Sequence, residues 1–469
     1  MSLEYDSEKP VAKQGVYWNE EDWDTLLKKL PLGWQEQAVK LGAWQRVRKL
    51  AQVTDLLRGL LVYAACGYTF RELGMWATVV GLGSLSERAW RKRVERAQAW
   101  ISWVLASLIG TQQSPDWLPE GAGRILLLDG SRLKTPAGSG EDVKMHTAYN
   151  LRTGQLESVE VTDRHSAEGV QHVRNMRARD VIVTDAGYQL GSSLQYEQAH
   201  GAYGVHRLSA SHVRLEREDG KRIDLKRLVK HQRYGTVSQY QVWVWDSKHQ
   251  ERFALRLVIA MPPRQYSMAA RARKRARIRQ QKGTKASLAP AWWAGVMLVG
   301  TTLPQEQWSA QEVVKLYRAR WQIELFFKRL KQGLLLHLLP VKHWERAQAY
   351  VHLSLIVWAL QEQHAQDLCH ELEVMLREPE VDALCQPAQE EAESAHWVIS
   401  HWSVAHWELE TVRSLLRGSW TRERLSECLP ELRRYLVSWD RQRRPSQERE
   451  VQAWLHQQLV LPDNSAFAA

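Results

Sequence analysis

The chain is poor in cysteine and contains no long apolar run. Its four cysteines, among 469 residues, are too few and too scattered for a disulfide scaffold or a CxxC metal site, so we expect a reducing compartment. No stretch approaches the roughly 18 consecutive apolar residues of a transmembrane helix, and the N-terminus MSLEYDSEKP is polar and acidic where a signal peptide would be basic and then apolar. We therefore expect the protein to stay in the cytoplasm, away from membranes.

Acidic side chains are fewer than basic ones. The chain has 53 Asp and Glu against 64 Lys and Arg, which gives a formal charge of +11. This excess favours a polyanionic partner, although charge bears on association and not on fold. With 44% hydrophobic and 25% charged residues the composition is that of a globular protein, which excludes wholesale disorder and collagen. The length allows several domains, at roughly 100 to 200 residues each.

Positions 18 to 118 have a helical pattern. Two capping boxes, Thr69 with Glu72 and Ser84 with Glu87, predict helix starts on either side of a short glycine-containing turn. Helix, short turn and helix form the outline of a helix-turn-helix. The second helix has an apolar stripe, formed by Trp90, Val94, Ala97 and Ile101.

The same helix is rich in basic residues that lie mostly off its apolar stripe. They could face DNA phosphates, as the second helix of a helix-turn-helix does, or they could form the solvated face of a helix in a bundle. Both interpretations are open from the sequence. The basic residues concerned are Arg88, Arg91, Lys92, Arg93 and Arg96.

Two short apolar runs each end on an aspartate. RILLLD ends at Asp129, and the run at 181–184 is followed by Asp185 in the motif TDAGY. Strand-like segments at 143–149 and 156–162, and a helix predicted over 166–179, lie between the two runs. The order predicts an α/β unit in which both aspartates lie at the C-terminal ends of strands, where open α/β sheets place their sites.

Residues from about 196 to 290 have a different pattern. Strand-like alternation at 238–245 and 252–260 is followed by a basic segment, 264–285, with nine Lys or Arg and no acid. Such a segment is either a solvated loop or an arm that contacts phosphates. The residues that we single out for phosphate contact are Arg273, Lys274 and Arg275.

The segment 312–331 has the pattern of a long amphipathic helix. At about 100° per residue, the helix presents four functional side chains from one stripe: Tyr317, Arg320, Glu324 and Lys331. Lys328 lies on the same stripe. Glu324 and Lys328 could therefore be an ordinary surface pair at i,i+4.

The spacing Tyr317-x2-Arg320-x3-Glu324-x6-Lys331 resembles the signature of bacterial insertion-sequence transposases of the DDE class, specifically insertion-sequence family four. LLLDGS, TDAGY and the β-rich insertion occur in the expected order, and the resemblance spans roughly positions 69 to 360. One departure is Met297, which stands where some relatives carry a base-stacking tryptophan, so no base-flipping residue is assigned.

The resemblance implies an RNase H-like catalytic core whose three catalytic acids are Asp129, Asp185 and Glu324. These acids would hold two Mg²⁺ ions, with Mn²⁺ as a substitute, and Asp129 would bridge the two ions. The metals would assist hydrolysis of the DNA end, and the freed 3′-OH would then attack target DNA. Arg320 and Lys331 would contact phosphates, and Tyr317 would lie beside the scissile strand.

The fold class that we predict is mixed α/β, with an RNase H-like core interrupted by a β-rich insertion. We expect an N-terminal helical DNA-binding domain at 1–118, core segments at 119–195 and 294–365, the insertion with its basic arm at 196–293, and a C-terminal helical region at 366–469.

The expected partners are double-stranded DNA, as transposon-end inverted repeats and as target, and a second copy of the chain in a synaptic homodimer at the bacterial nucleoid. Two alternatives are open. One is a metal-dependent nuclease on the same core that does not transfer strands. The other is a DNA-binding regulator that has lost catalysis, which the presence of all three acids disfavours.

Overall fold

The computed structural model describes residues 20–45, 49–110, 123–136, 142–173, 175–246, 250–282, 287–334, 336, 339–341, 343–376, 397–399, 401–417 and 437–439. They fall into two compact units. One unit combines Met1–Leu108 with Ala349–Arg443, and the other combines Ile109–Gln348 with Arg444–Ala469. We call them the helical unit and the sheet unit.

Thirteen helices are present among the described residues. In chain order they are α1 (Glu20–Leu27), α2 (Trp34–Lys40), α3 (Val53–Cys66), α4 (Phe70–Val79), α5 (Glu87–Gly110), α6 (Leu190–Ala199), α7 (Leu225–Lys230), α8 (Arg264–Lys282), α9 (Ala289–Trp293), α10 (Ala310–Ala319), α11 (Trp321–Gly333), α12 (Trp344–Leu376) and α13 (His401–Arg417).

Eleven strands are present in the same residues. They are β1 (Ile125–Leu133), β2 (Val143–Asn150), β3 (Gln155–Asp163), β4 (Val181–Thr184), β5 (Tyr203–Arg207), β6 (Leu215–Glu216), β7 (Thr236–Asp246), β8 (Glu251–Met261), β9 (Met297–Thr301), β10 (Trp397–Ile399) and β11 (Val437–Trp439). The fold is therefore mixed α/β.

Nine of the strands form one sheet in the order β3-β2-β1-β4-β5-β9-β8-β7-β6. Strands β1, β4 and β5 are parallel to one another, and the other pairings are antiparallel. Apolar runs such as RILLLD form strands because their side chains are buried on both faces of the sheet. Strand β9 pairs with both β5 and β8, so the sheet continues from the aspartate-bearing strands into the region that we predicted as an insertion.

The helix predicted over 166–179 is wrong. This segment has one 3-10 turn, Val170–His172, and Gly169 before it is extended, with φ of −165°. Its apolar residues Val170, Val173 and Met176 are buried in one cluster on the sheet. Apolar residues three apart resemble a helix in sequence, but here the tertiary contact with the sheet decides the conformation.

The long helix predicted at 312–331 is broken in two at Arg320. Helix α10 ends at Ala319 and α11 begins at Trp321, and the Arg320 amide donates to the Tyr317 carbonyl, three residues back. A hydrogen bond over three residues marks a 3-10 turn, which changes the direction of side chains on either side. The basic segment that was left open between a loop and an arm is helical, as α8.

The helical unit contains the predicted pair of helices with an intervening turn, α4 and α5. The capping box of Thr69 with Glu72 is confirmed at the start of α4. The box of Ser84 with Glu87 is wrong, because α5 begins at Glu87 and the Ser86 hydroxyl accepts from the amide of Ala89. Leu85, which precedes this helix, is buried.

The core of the helical unit joins distant parts of the chain. The apolar stripe of α5 is fully buried as predicted, and Tyr63 of α3 meets Tyr350 of α12 edge to face, with 5.3 Å between ring centroids. Arg58 of α3 donates to the carbonyl oxygens of Leu415 and Leu416 at the end of α13. Among the described residues, no helix is long and apolar enough to cross a membrane.

Candidate active site

Asp129 and Asp185 lie near each other, just past the point where the parallel pairing of β1 with β4 ends. Strands β1 and β4 are parallel neighbours with Leu127 opposite Val183, and each aspartate follows two residues later on its chain. Both Leu127 and Val183 are fully buried, so the core fixes the backbone just before each acid. The prediction that each acid lies at the C-terminal end of its strand is confirmed for Asp185, which directly follows β4. It is wrong for Asp129, because the antiparallel pairing with β2 continues β1 to Leu133 and places Asp129 opposite Thr147.

The Asp129 carboxylate is partly buried and held from two sides. Its Oδ1 accepts from the Gly130 amide at 2.8 Å, and its Oδ2 accepts from an Arg320 Nη at 3.1 Å. Burial nevertheless raises the pKa of Asp129 to about 6, with Asp185 and Glu168 adding to the rise and Arg320 opposing it. A carboxylate whose pKa is raised in this way is stabilised in its ionised form by additional positive charge.

Asp185 begins a tight turn that also contains the glycine and tyrosine of TDAGY. Its Oδ1 accepts from the Gly187 amide at 2.6 Å. Tyr188 packs in the core below, and its pKa is raised well above the usual value by burial and by the charges of Asp129, Glu168 and Asp185. Three carboxylates therefore act on one buried hydroxyl.

Arg320 connects the helical acid to the strand acids. Its guanidinium donates to Asp129 with one nitrogen and to Glu324 with another, and it forms ion pairs with both. Its position at the junction of α10 and α11 lets it reach both carboxylates. The described residues hold no ion pair between Glu324 and Lys328, so the surface-pair alternative has no contact to support it.

The other two signature residues lie in the same neighbourhood. Burial raises the pKa of Tyr317, with the charges of Arg320 and Arg207 opposing the rise, and the Arg207 guanidinium lies over its ring at 5.9 Å from the centroid. Lys331 donates from Nζ to the Arg132 carbonyl at 3.4 Å, and burial lowers its pKa. The structure thus brings together all four residues of the Tyr-Arg-Glu-Lys spacing.

Sequence reasoning missed a fourth carboxylate, that of Glu168. Its Oε1 pairs with Lys144 Nζ at 2.9 Å, and its charge acts on both Asp129 and Tyr188. The helix predicted over 166–179 included this residue without singling it out. The available signal was Gly169, a poor helix former in what would have been the first turn.

Carboxylate oxygens are the donors that Mg²⁺ prefers, so the chemistry of this site fits that ion. Within the described part of the chain, however, no three acidic, histidine or cysteine side chains converge on a common point. The guanidinium of Arg320 lies between Asp129 and Glu324 and takes up one oxygen of each. A metal ion shared by these two acids would have to replace it there.

The predicted DNA-contacting residues outside this site lie on two other helices. On α5, Arg88 and Lys92 are exposed, whereas Arg91 and Arg93 are half-buried and Arg91 pairs with Glu87. On α8, three consecutive basic side chains are exposed, and no described hydrogen bond or ion pair links them to the acids. They are Arg273, Lys274 and Arg275.

Comparison with known proteins gives a consistent result. The family model described as the transposase DDE domain matches residues 120–360. A putative transposase of insertion sequence element IS186A from Escherichia coli (strain K12) is 27% identical over 348 residues, which is 72% of this chain and 92% of the relative. The transposase of element IS421 from Escherichia coli is 27% identical over 349 residues, with the same shares. The transposase of element IS231B from Bacillus thuringiensis subsp. berliner is 22% identical over 268 residues, half of this chain and 54% of the relative.

Proposed function

Because the chain belongs to the family of DDE transposases of insertion sequences, we propose that it binds the inverted repeats of an insertion sequence, cleaves its ends and joins the freed 3′-OH ends to target DNA. Membership in this family makes it an enzyme that cleaves and transposes DNA. The details of binding, cleavage and joining, and the residues that perform them, are the proposal.

One observation carries the proposal. Asp129 in β1 and Asp185 directly after β4 each lie two residues past the last parallel pair of these strands, Leu127 with Val183. Arg320 links Asp129 to Glu324 on α11. The order β3-β2-β1-β4-β5, with three antiparallel strands followed by two parallel ones, supports an RNase H-like core around these acids. Glu324 reaches that core from a helix 139 positions after Asp185 in the sequence.

Asp129, Asp185 and Glu324 are the residues that would hold two Mg²⁺ ions. When bound, such ions activate the attacking water and stabilise the departing 3′ oxygen of the phosphodiester. The basic side chains at this site would bind the phosphates of the DNA. Once Arg320 is released from a carboxylate, its planar guanidinium can hold a DNA phosphate in a bidentate manner, and Lys331 can attract a second phosphate as a point charge.

DNA recognition is assigned to the exposed basic surfaces. We propose that α5 contacts phosphates through Arg88 and Lys92, with Arg91 and Arg93 beside them, and that α8 grips the duplex through its three consecutive basic residues. Exposed cations attract DNA without a fixed geometry, which suits a role in binding rather than in catalysis. A homodimer that holds two element ends together completes the proposal.

The test is an assay of strand joining. The purified chain is incubated with Mg²⁺, a linear DNA that carries the ends flanking its own reading frame, and a supercoiled target plasmid. We expect 3′-OH ends joined to the plasmid. Cleaved ends without joined product would favour the nuclease alternative, and end binding without cleavage would favour the regulator.

A further inference from the structure

Glu168 reaches the acids from a segment that the signature does not include. It lies between the end of β3 at Asp163 and the 3-10 turn at Val170. Its side chain is 24% exposed, and Oε1 pairs with Lys144 of β2 at 2.9 Å. The lysine thus fixes one carboxylate oxygen, and the other oxygen, Oε2, is directed to the side of Asp185.

Two glycines make room for this carboxylate. A Cβ added to Gly130, directly after Asp129, would lie 2.9 Å from Glu168 Oε1. A Cβ added to Gly187 would lie 2.8 Å from Glu168 Oε2 and 3.0 Å from Asp185 Oδ1. Both distances to Glu168 are shorter than a carbon and an oxygen normally approach. The glycines of LLLDGS and TDAGY therefore leave the space into which the fourth carboxylate fits.

The same geometry brings two negatively charged oxygens together. One point, the Cβ position at Gly187, lies within 3.0 Å of both Glu168 Oε2 and Asp185 Oδ1. Lys144 is bound at the opposite oxygen of Glu168. Two carboxylate oxygens that share a site repel each other unless a cation lies between them. Carboxylate oxygens are the donors that a hard divalent ion prefers.

We propose that Glu168 is a fourth carboxylate of the metal centre, which binds a divalent metal ion through Oε2 together with Asp185 while Lys144 holds Oε1. This inference rests on the proposed function, which assigns the metal to Asp129, Asp185 and Glu324. It adds a ligand from the segment between β3 and β4. It also explains why glycines stand at 130 and 187, where a side chain would collide with Glu168.

A purely structural ion pair is the competing explanation, and the chain offers a matched control for it. Glu160 of β3 pairs with His172 Nδ1 at 2.9 Å, the same distance as the pair of Glu168 with Lys144. Its side chain is 27% exposed, close to the value for Glu168. No contact of Glu160 with Asp185 is described.

The experiment measures Mn²⁺ binding to the full chain without DNA, by isothermal titration calorimetry. The variants are Glu168→Gln, Glu160→Gln, Lys144→Gln, Gly187→Ala and Asp185→Asn. We expect E168Q to lower Mn²⁺ affinity by about tenfold or more, K144Q to lower it less, and E160Q to leave it unchanged. G187A crowds the same contact without removing either carboxylate, because its methyl group would lie 2.8 Å from Glu168 Oε2 and 3.0 Å from Asp185 Oδ1. Thermal melting without metal confirms that each variant is folded.

The outcomes separate this inference from the function on which it rests. If D185N loses Mn²⁺ binding while E168Q and G187A bind like the unaltered chain, Glu168 is not a ligand and the three-acid site stands. If K144Q and E168Q lose affinity equally, Glu168 acts only through its ion pair, and the inference is overturned. If D185N binds Mn²⁺ like the unaltered chain, the proposed metal site itself is wrong.

Discussion

Charged side chains around Asp129 are partly buried and hydrogen-bonded, whereas most of those along α8 are exposed. Asp129 and Arg320 are only 19% and 14% exposed, and each is fixed by hydrogen bonds to the other. Arg273, Lys274 and Arg275 are exposed on α8, with no described ion pair. Breaking one bond requires atoms in fixed positions, whereas attraction of a phosphate backbone requires only charge near the surface. The difference therefore separates a region for chemistry from a region for binding.

The largest effect should come from the strand acids. Asp129→Ala and Asp185→Ala should each reduce end cleavage in Mg²⁺ by at least about a thousandfold, because metal-borne charge stabilisation is worth several kcal/mol. Binding to the same end DNA should be retained. Single-turnover cleavage and gel-shift titration measure the two quantities. A variant that cleaves normally would show that the replaced acid takes no part in cleavage.

On helix α11, a proposed catalytic charge, Glu324, can be compared with a surface charge one turn away, Lys328. Glu324→Gln should reduce cleavage by orders of magnitude, because the acid is bound to Arg320 beside Asp129. Lys328→Gln should have little effect on cleavage, since Lys328 is exposed. Each change should alter the free energy of unfolding by no more than about 1 kcal/mol, as for surface charges in general. Equal and mild cleavage defects in the two variants would mean that Glu324 is an ordinary surface residue and not a metal ligand.

The basic helix should show the reverse behaviour. The combined change of Arg273, Lys274 and Arg275 to Gln should flatten the salt dependence of DNA binding, by about 0.9 units of log-log slope for each lost phosphate contact. Melting temperature should not change, because these side chains are exposed. The matched control removes three exposed charges from α7: Lys226, Arg227 and Lys230. An unchanged slope in the α8 variant, or an equal change in the control, would refute the assignment.

A smaller effect concerns a buried histidine near the acids. Burial, with His172 and Lys144 nearby, lowers the pKa of His146 to about 4. Below the ordinary histidine pKa of about 6.5, the unfolded chain binds a proton that the folded chain does not. Stability should therefore decrease as pH falls from about 6.5 towards 4, by at most about 2 kcal/mol at pH 5.

Thermal melting at pH 7.5 and pH 5 tests this sign. His146→Gln should reduce the difference between the two melting temperatures, because the titrating group is removed. His200→Gln alters an exposed histidine directly after α6 and should leave the difference unchanged. If H146Q shows the same pH dependence as the unaltered chain, the buried histidine does not contribute to it.

The strands and the signature residues could be predicted from the sequence because their signals are local. The apolar runs before Asp129 and Asp185 form β1 and β4, although β1 continues past its acid to Leu133. The spacing of Tyr317, Arg320 and Glu324 predicted that they lie at one site. The break at Arg320 was not predictable, because helical periodicity continues through it, and only the contacts with Asp129 and Glu324 show why the turn is useful.

Other features depend on contacts between distant parts of the chain. Glu168 meets Asp129 and Asp185 only after the sheet has formed, so no spacing in the sequence identifies it. Likewise, Arg58 donates to carbonyl oxygens more than 350 residues away, at the end of α13. Local periodicity predicts helices in both segments but contains no information about their pairing.

The most direct test of the central claim is a change of metal specificity at Asp185. A cysteine thiolate is softer than a carboxylate, so it binds Mg²⁺ poorly and accepts Mn²⁺ more readily. We predict that Asp185→Cys fails to cleave end DNA in Mg²⁺ and regains part of its activity in Mn²⁺, while Asp185→Ala stays inactive in both. Cleavage by D185C in Mg²⁺ at the rate of the unaltered chain, or recovery of D185A in Mn²⁺, would contradict a metal held by this carboxylate.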